Sequence, residues 1–247
     1  MKKNGFLEGT FIATASVIIC KILGLIYVIP FYSIIGSQGG ALYSYAYSIY
    51  AIFLNLATVG IPTAISKIVS EYNALEYFVL KQKAYKIGSK ILIGFGLLFF
   101  LILFIFAPQI AYLIKGNATG GNSLESVTLV IRTISTALLI VPILSVKRGY
   151  LQGHKYIAVP QISTVIEQII RVLIVVLGSF ISYKIFNLSL EWSVAIAVFG
   201  ATLGALFSYL FVDKKIKKNI DKFNLDAEEK EEEKKYTNKI LLKKIVY

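Results

Sequence analysis

The sequence holds one cysteine (Cys20), one histidine (His154) and only 14 Asp and Glu among 247 residues. A disulfide framework needs paired thiols, and a Cys/His metal cluster needs several such ligands, so neither can be built here. The chain also lacks a phosphate-cradling glycine-rich loop ending in Lys-Ser or Lys-Thr, a Ser/His/Asp arrangement, and carboxylates paired as in glycoside hydrolases. It is therefore not read as an enzyme, and it needs no cofactor and no metal. Arginine is scarce as well, occurring only at Arg132, Arg148 and Arg171 against a lysine-rich background.

What the chain has in abundance is apolar surface. Hydrophobic residues make up 56% and the mean hydropathy is +0.70, well above the balance of soluble domains. A bilayer core of about 30 Å takes roughly 20 apolar residues in a helix. Six runs of that order occur, at 11–35, 43–66, 87–114, 124–146, 157–186 and 192–212. The first is too long for a cleaved signal peptide and has no small-residue cleavage pattern after it, so it stays as a helix. The expected fold class is an all-α polytopic membrane protein built as a six-transmembrane-helix bundle.

The net charge of +12 would point to nucleic acid in a soluble protein, but here it sorts by connection. Lys2 and Lys3 precede the first span; Lys67, Lys81, Lys83, Lys86 and Lys90 surround the second connection; Lys147, Arg148 and Lys155 the fourth; Lys214, Lys215, Lys217 and Lys218 follow the sixth. The alternate connections "GSQGGA", "KGNATGGNS" and "NLSLE" are nearly free of basic residues. By the positive-inside rule the N-terminus and residues 213–239 are cytoplasmic and the protein is a multi-pass component of the cell membrane. Nucleic acid is not among the expected partners; membrane lipids are.

The domain reading follows. Residues 1–212 form the six-helix transmembrane unit, and 213–239, with mixed charge and few large apolar residues, form a solvated cytoplasmic linker. The closing "ILLKKIVY" at 240–247 starts another apolar segment too short to span a bilayer. It is read as a surface anchor or as the start of a truncated seventh helix.

Charges inside the spans carry the functional reading. One at the bilayer centre costs at least about 2.5–3.5 kcal/mol, so each needs a partner or a wet cavity. At about 1.5 Å per residue, Lys21 and Glu167 both lie roughly 15 Å from the basic end, near the midplane. Arg171 follows Glu167 by one turn on the same face, and Arg132, counted from the far end of its span, reaches about the depth of Arg171. Two layers are expected, Lys21 with Glu167 and Arg132 with Arg171. One reading is a bundle held by buried ion pairs with no ligand. The other starts from three cations against one acid: guanidinium keeps its proton, and the surplus positive charge suits a hydrated cavity for a phosphate or pyrophosphate.

Other features point less sharply. Tyr43, Tyr45, Tyr47 and Tyr50 in "LYSYAYSIY" read as interfacial anchors before sugar-stacking rings. Pro62 and Pro142 bend their spans; Gly24, Gly60 and Gly200 permit close helix contact; His154 is expected in a solvated basic loop.

Three stretches carry a likeness: "CKILGLIYVIPFYSIIG", "ALYSYAYSIYAIFLNLATVGIPTAISKIVSEY" and "RGYLQGHKYIAVPQISTVIEQIIRV". Together they resemble the polysaccharide biosynthesis and export branch of the MATE-like (MOP) flippase superfamily, nearest its lipid II flippase-like and spore-cortex-type members in Gram-positive bacteria. The resemblance implies a carrier of about fourteen helices in two six-helix lobes that moves a lipid-linked oligosaccharide by alternating access through a cationic cavity. This chain then matches the N-terminal lobe, and its partners would be the anionic lipid-linked precursor and a second lobe, either a missing C-terminal half or another chain. "CKILG" puts Lys21 at the family's cavity-facing basic position, "RGYLQG" puts Arg148 in its motif, and "EQIIRV" does so for Glu167 and Arg171. Where related flippases carry further bases, this sequence has Tyr27 and Leu54 or Asn55. Two alternatives remain: a multidrug or cation antiporter of the same superfamily, which would need acids to outnumber bases in the cavity, and a non-transporting scaffold or incomplete product.

Overall fold

A computed structural model describes residues 1–58, 60–115, 121–223, 225, 227–236 and 238–246. The described residues form α1 (Phe6–Ile26), α2 (Val28–Thr58), α3 (Ile61–Ala74), α4 (Phe78–Ile105), α5 (Ala107–Lys115), α6 (Leu124–Ser135), α7 (Val141–Gly153), α8 (Ala158–Leu173), α9 (Leu190–Lys217) and α10 (Asn238–Val246). Six stretches are long and apolar enough to cross a membrane. The chain is an all-α, multi-pass membrane protein.

The first two crossings are not divided where helix hydrogen bonding alone would place the break. Val28–Ala74 counts as one apolar stretch of 47 residues, which as a straight helix would be about 70 Å long, more than twice a bilayer core. Inside it Gly36 adopts φ 68°, ψ −175°, a conformation open almost only to glycine. The chain reverses there. Tyr27 and Tyr43 would be about 24 Å apart along a straight helix, yet their hydroxyl oxygens lie 3.3 Å apart, and Gly40 faces the ring of Tyr32. The "GSQGGA" connection is therefore a real turn, and the crossings run on either side of it.

Two other boundaries move. The third crossing begins at Phe78, not at residue 87, and ends at Ile105 before a separate short helix, α5. The fourth continues through α7 to Gly153 instead of stopping at 146. Charge ended the apolar runs in the sequence without ending the helices, because lysine and arginine stems lie along a helix while their heads reach water or a partner. Lys81, Lys86, Lys147 and Arg148 are thus helical residues. The prolines open helical segments: Pro62 in the first turn of α3, after Gly60 at φ 77°, and Pro142 in the first turn of α7, after a 3-10 turn at Thr136–Leu139. Both positions cost no hydrogen bond.

More than half of the fourth and sixth crossings is buried (56% each), against 11% of the first, so α6, α7 and α9 form the centre and α1 lies outside. Glycine lets the central helices touch. A side-chain carbon on Gly149 or Gly153 of α7 would fall 2.4 Å from the Pro62 carbonyl or 2.6 Å from that of Ser66 on α3, and one on Gly204 of α9 would meet the Glu167 carbonyl of α8 at 2.6 Å. Gly200 packs in the same way on Arg171, and Gly24 faces Gln168. Gly60 does not: nothing lies within 4 Å of its open side, and it serves the backbone turn.

The connections gather at two opposite ends. At one, Asn122 donates to the Gln38 carbonyl at 2.9 Å and Gly39 faces Leu190. At the other, the basic one, the Asn4 N–H reaches the Lys155 carbonyl at 2.9 Å and the terminal amine reaches Asn219 at 2.6 Å. The segment after α9 folds back over this end. Phe223 is buried between α7 and the following turn, Tyr236 meets Tyr72 edge-on, Lys83 pairs with Glu229 at 2.6 Å, and α10 seats Leu241 and Ile245 against α3 and α4.

His154 departs from its expected solvated loop. It is buried at 2% exposure among Tyr150, Tyr156 and Phe223, with its Nε2 unpartnered. Burial first, then the nearby Lys81 and Lys3 ammoniums, pushes its pKa down to about 3. Below pH 6.5 the unfolded chain binds a proton here that the folded chain refuses until about pH 3, so stability drains away as pH falls through that interval. The melting temperature is expected to fall between pH 7 and pH 4, with a shallower fall in His154→Phe. Identical pH profiles for the two proteins would overturn this.

Candidate functional site

Along α8, Val159, Ser163 and Glu167 recur every four residues and face the interior, while Ile162, Ile169 and Leu173 face out. In a membrane that inversion is the economical one, because hydrocarbon solvates the apolar face and polar groups need partners inside. Arg171 extends the inner stripe by one turn.

Glu167 stands between two arginines. Its Oε2 accepts from Arg148 Nη2 at 2.9 Å and its Oε1 from Arg171 Nη2 at 2.7 Å. Arg148 is pinned further: its Nε donates to Ser163 Oγ at 2.8 Å and its Nη2 to Ser208 Oγ at 2.8 Å, and Ser208 Oγ donates to the Ser163 carbonyl at 2.8 Å. This ties α7, α8 and α9 together through one charged knot. Glu167 is 11% exposed at the side chain, Arg148 17% and Arg171 22%. Two guanidiniums and one carboxylate leave a single positive charge held inside the bundle.

That charge has an unfilled side. Arg171 Nε is buried with no hydrogen-bond partner, and so is the Tyr47 hydroxyl. Tyr47, Tyr50 and Tyr43 all lie within electrostatic reach of Arg171. An unsatisfied buried donor costs about 1–3 kcal/mol, a cost that an acceptor oxygen brought into this neighbourhood would relieve. Directly after α8 the helix widens into π turns at Ile174–Gly178 and Ile181–Ile185; such turns often accompany functional positions.

The tyrosines correct a sequence expectation. Tyr43 and Tyr50 are buried, Tyr47 is partly so, and only Tyr45 of the four is exposed. Tyr43, Tyr47 and Tyr50 form a ladder with ring centroids 4.4 and 6.0 Å apart. Their spacing of four and three is one face of a helix, a signal present in the sequence and outweighed there by the frequency of tyrosine at span ends.

The two expected charge layers are not what forms. Arg148, Glu167 and Arg171 come together, with Arg148 taking the place at Glu167 assigned to Lys21. Lys21 is exposed on α1, beside Cys20 and Gly24, which face Thr164 and Gln168 of α8, and it meets no carboxylate among the described residues. Arg132 does not join Arg171. Its Nε donates to the Phe104 carbonyl at 3.2 Å with the guanidinium over the Phe104 ring, capping the end of α4. Depth counting gave a height for each charge but not the direction its helix face points. Ser163 and Ser208, which fix Arg148, went unnoticed because serines inside spans commonly bond their own backbone.

Comparison with known proteins gives a consistent result. The family model described as polysaccharide biosynthesis protein matches residues 6–242. The lipid II flippase MurJ of Bacillus subtilis is 40% identical over 200 residues, which are 81% of this chain and 37% of that one. Stage V sporulation protein B of the same organism is 32% identical over 225 residues, 89% of this chain and 41% of its own. Among solved structures, a MOP superfamily transporter from Pyrococcus furiosus superposes with a TM-score of 0.68 at 13% identity, over 97% of this chain and 50% of the other. That last likeness concerns the fold alone. The chain spans about two fifths of the length of these curated relatives and half that of the solved transporter.

Proposed function

The chain belongs to the polysaccharide biosynthesis protein family, and we propose that it works as the N-terminal lobe of a flippase that carries an anionic lipid-linked saccharide precursor across the cell membrane. The N-terminus and the segment after α9 lie on the cytoplasmic side in this proposal, following the lysine asymmetry between the two ends of the bundle. The observation that carries it is the Arg148–Glu167–Arg171 knot, a net cation at membrane depth in which Arg171 Nε has no hydrogen-bond partner. The relative named as a lipid II flippase supports the substrate class.

In this mechanism Glu167 offsets one guanidinium and holds both in place, and Arg171 presents its Nε to an oxygen of the phosphate or pyrophosphate. Lys21, on the open face of α1, adds a second cation where the opposing lobe would close the cavity, and the tyrosine ladder supplies ring faces and hydroxyls for the sugar. Carriers of this kind bind between two halves and alternate by rocking one against the other. No covalent step is involved. Arg132, tied to the end of α4, steadies that helix and takes no part in binding.

The test is movement of a fluorescent lipid-linked oligosaccharide across proteoliposome membranes. Flipping is expected when the chain is reconstituted together with a second lobe, either covalently continued or as a separate protein, and not by this chain alone. Transport of an organic cation instead would select the antiporter reading, and absence of both activities in the two-lobe preparation would select the scaffold.

A further inference from the structure

At the basic end of the bundle lies a cavity of about 230 Å³ that no residue of the charged knot lines. Tyr85 of α4, Tyr150 of α7, Ile216 in the last turn of α9, and Ile220 and Phe223 beyond it form its walls, and Lys86 stands at its rim. We propose that this is a binding site for one anionic phospholipid, with an acyl segment in the cavity and the phosphodiester at Lys86.

Three observations carry it. The volume falls below the roughly 300–1,000 Å³ typical of sites for whole small molecules, but it suits part of one chain. The walls belong to the first turns of one crossing and the last turns of others, the level at which tyrosines and lysines meet lipid headgroups. The charge is one-sided: Lys83 pairs with Glu229, and Lys147 and Lys217 share Asp213, whereas Lys86 and Lys90 of α4 and Lys214 and Lys215 of α9 meet no carboxylate among the described residues. Lysine stems run along apolar walls with their heads outward, which places an ammonium where a phosphate attached to the buried chain would emerge. Basic pockets of this sort between membrane helices hold anionic headgroups. A lipid there would bridge α4 to the chain after α9 through Ile220 and Phe223, and so brace the segment that folds back over this end. The proposal does not depend on the flippase reading.

Native mass spectrometry of the protein released from nanodiscs of equal phosphatidylglycerol and phosphatidylcholine tests it. One phosphatidylglycerol is expected to stay bound in preference to phosphatidylcholine. Lys86→Gln, a surface change that leaves the fold alone, should weaken retention about fivefold. Ile220→Trp should fill the cavity and abolish retention, with helical circular dichroism unchanged. Equal retention of the two lipids, or retention of phosphatidylglycerol undiminished in both variants, would overturn the assignment.

Discussion

Glu167→Ala is expected to destabilise the protein by about 3–5 kcal/mol, the cost of removing one partner from a buried ion pair. The carboxylate accepts from both Arg148 and Arg171, and all three side chains are largely withdrawn from solvent. Once it is gone, two guanidiniums share the interior, and neither sheds its proton. Ser163 and Ser208 still hold Arg148 but carry no compensating charge. For a chain of this size the loss corresponds to a fall of roughly 6–20 °C in melting temperature, readable by circular dichroism in detergent. Glu167→Gln keeps the volume and one acceptor, so it should fall between wild type and alanine. Glu231→Ala, which removes an exposed carboxylate paired within its own turn to Lys234, should leave the melting point unchanged. If Glu167→Ala melts together with Glu231→Ala, the knot is not the charged core described here.

The architecture was legible because bilayer thickness imposes a length that hydropathy reveals directly. Six apolar runs and the alternation of lysine between connections were enough to indicate which ends of the helices meet. Breaks within crossings were less legible, since Gly60 turns the chain through backbone angles that composition does not encode, whereas the turn at Gly36 falls in the "GSQGGA" connection that the sequence marks. The site was half legible. An arginine and a glutamate four apart on an apolar helix announce a buried pair, and Glu167 and Arg171 form one. The sequence sets Arg148 in a connection because "KRGY" looks like the end of a span, and its capture of Glu167 depends on α7 continuing to Gly153. Arg132 had the right depth and the wrong direction. Azimuth around the helix, not height along it, decided which charges met, and azimuth is fixed by packing such as the contacts of Gly200 and Gly204 with α8.

Replacing the whole knot separates structural glue from binding site. Arg148→Met/Glu167→Leu/Arg171→Met is expected to fold at least as well as wild type, because exchanging a complete buried ion cluster for packed apolar groups is commonly neutral or stabilising by about 1–4 kcal/mol. The serines lose nothing essential, since Ser163 Oγ keeps the Pro160 carbonyl at 2.6 Å and Ser208 Oγ that of Ser163 at 2.8 Å. Flipping by the two-lobe preparation should nevertheless fall at least about tenfold, as the Arg171 hydrogen bond to a charged substrate is worth about 1.5–3 kcal/mol. Arg171→Gln makes the same point more gently. It leaves Arg148 and Glu167 as a balanced pair, so the fold persists while the net cation disappears. A stable triple variant that still flips the lipid-linked oligosaccharide would reduce the knot to a clasp between α7, α8 and α9. A stable variant that does not would mean that the chain retains a destabilising cation at membrane depth for the phosphate it meets there.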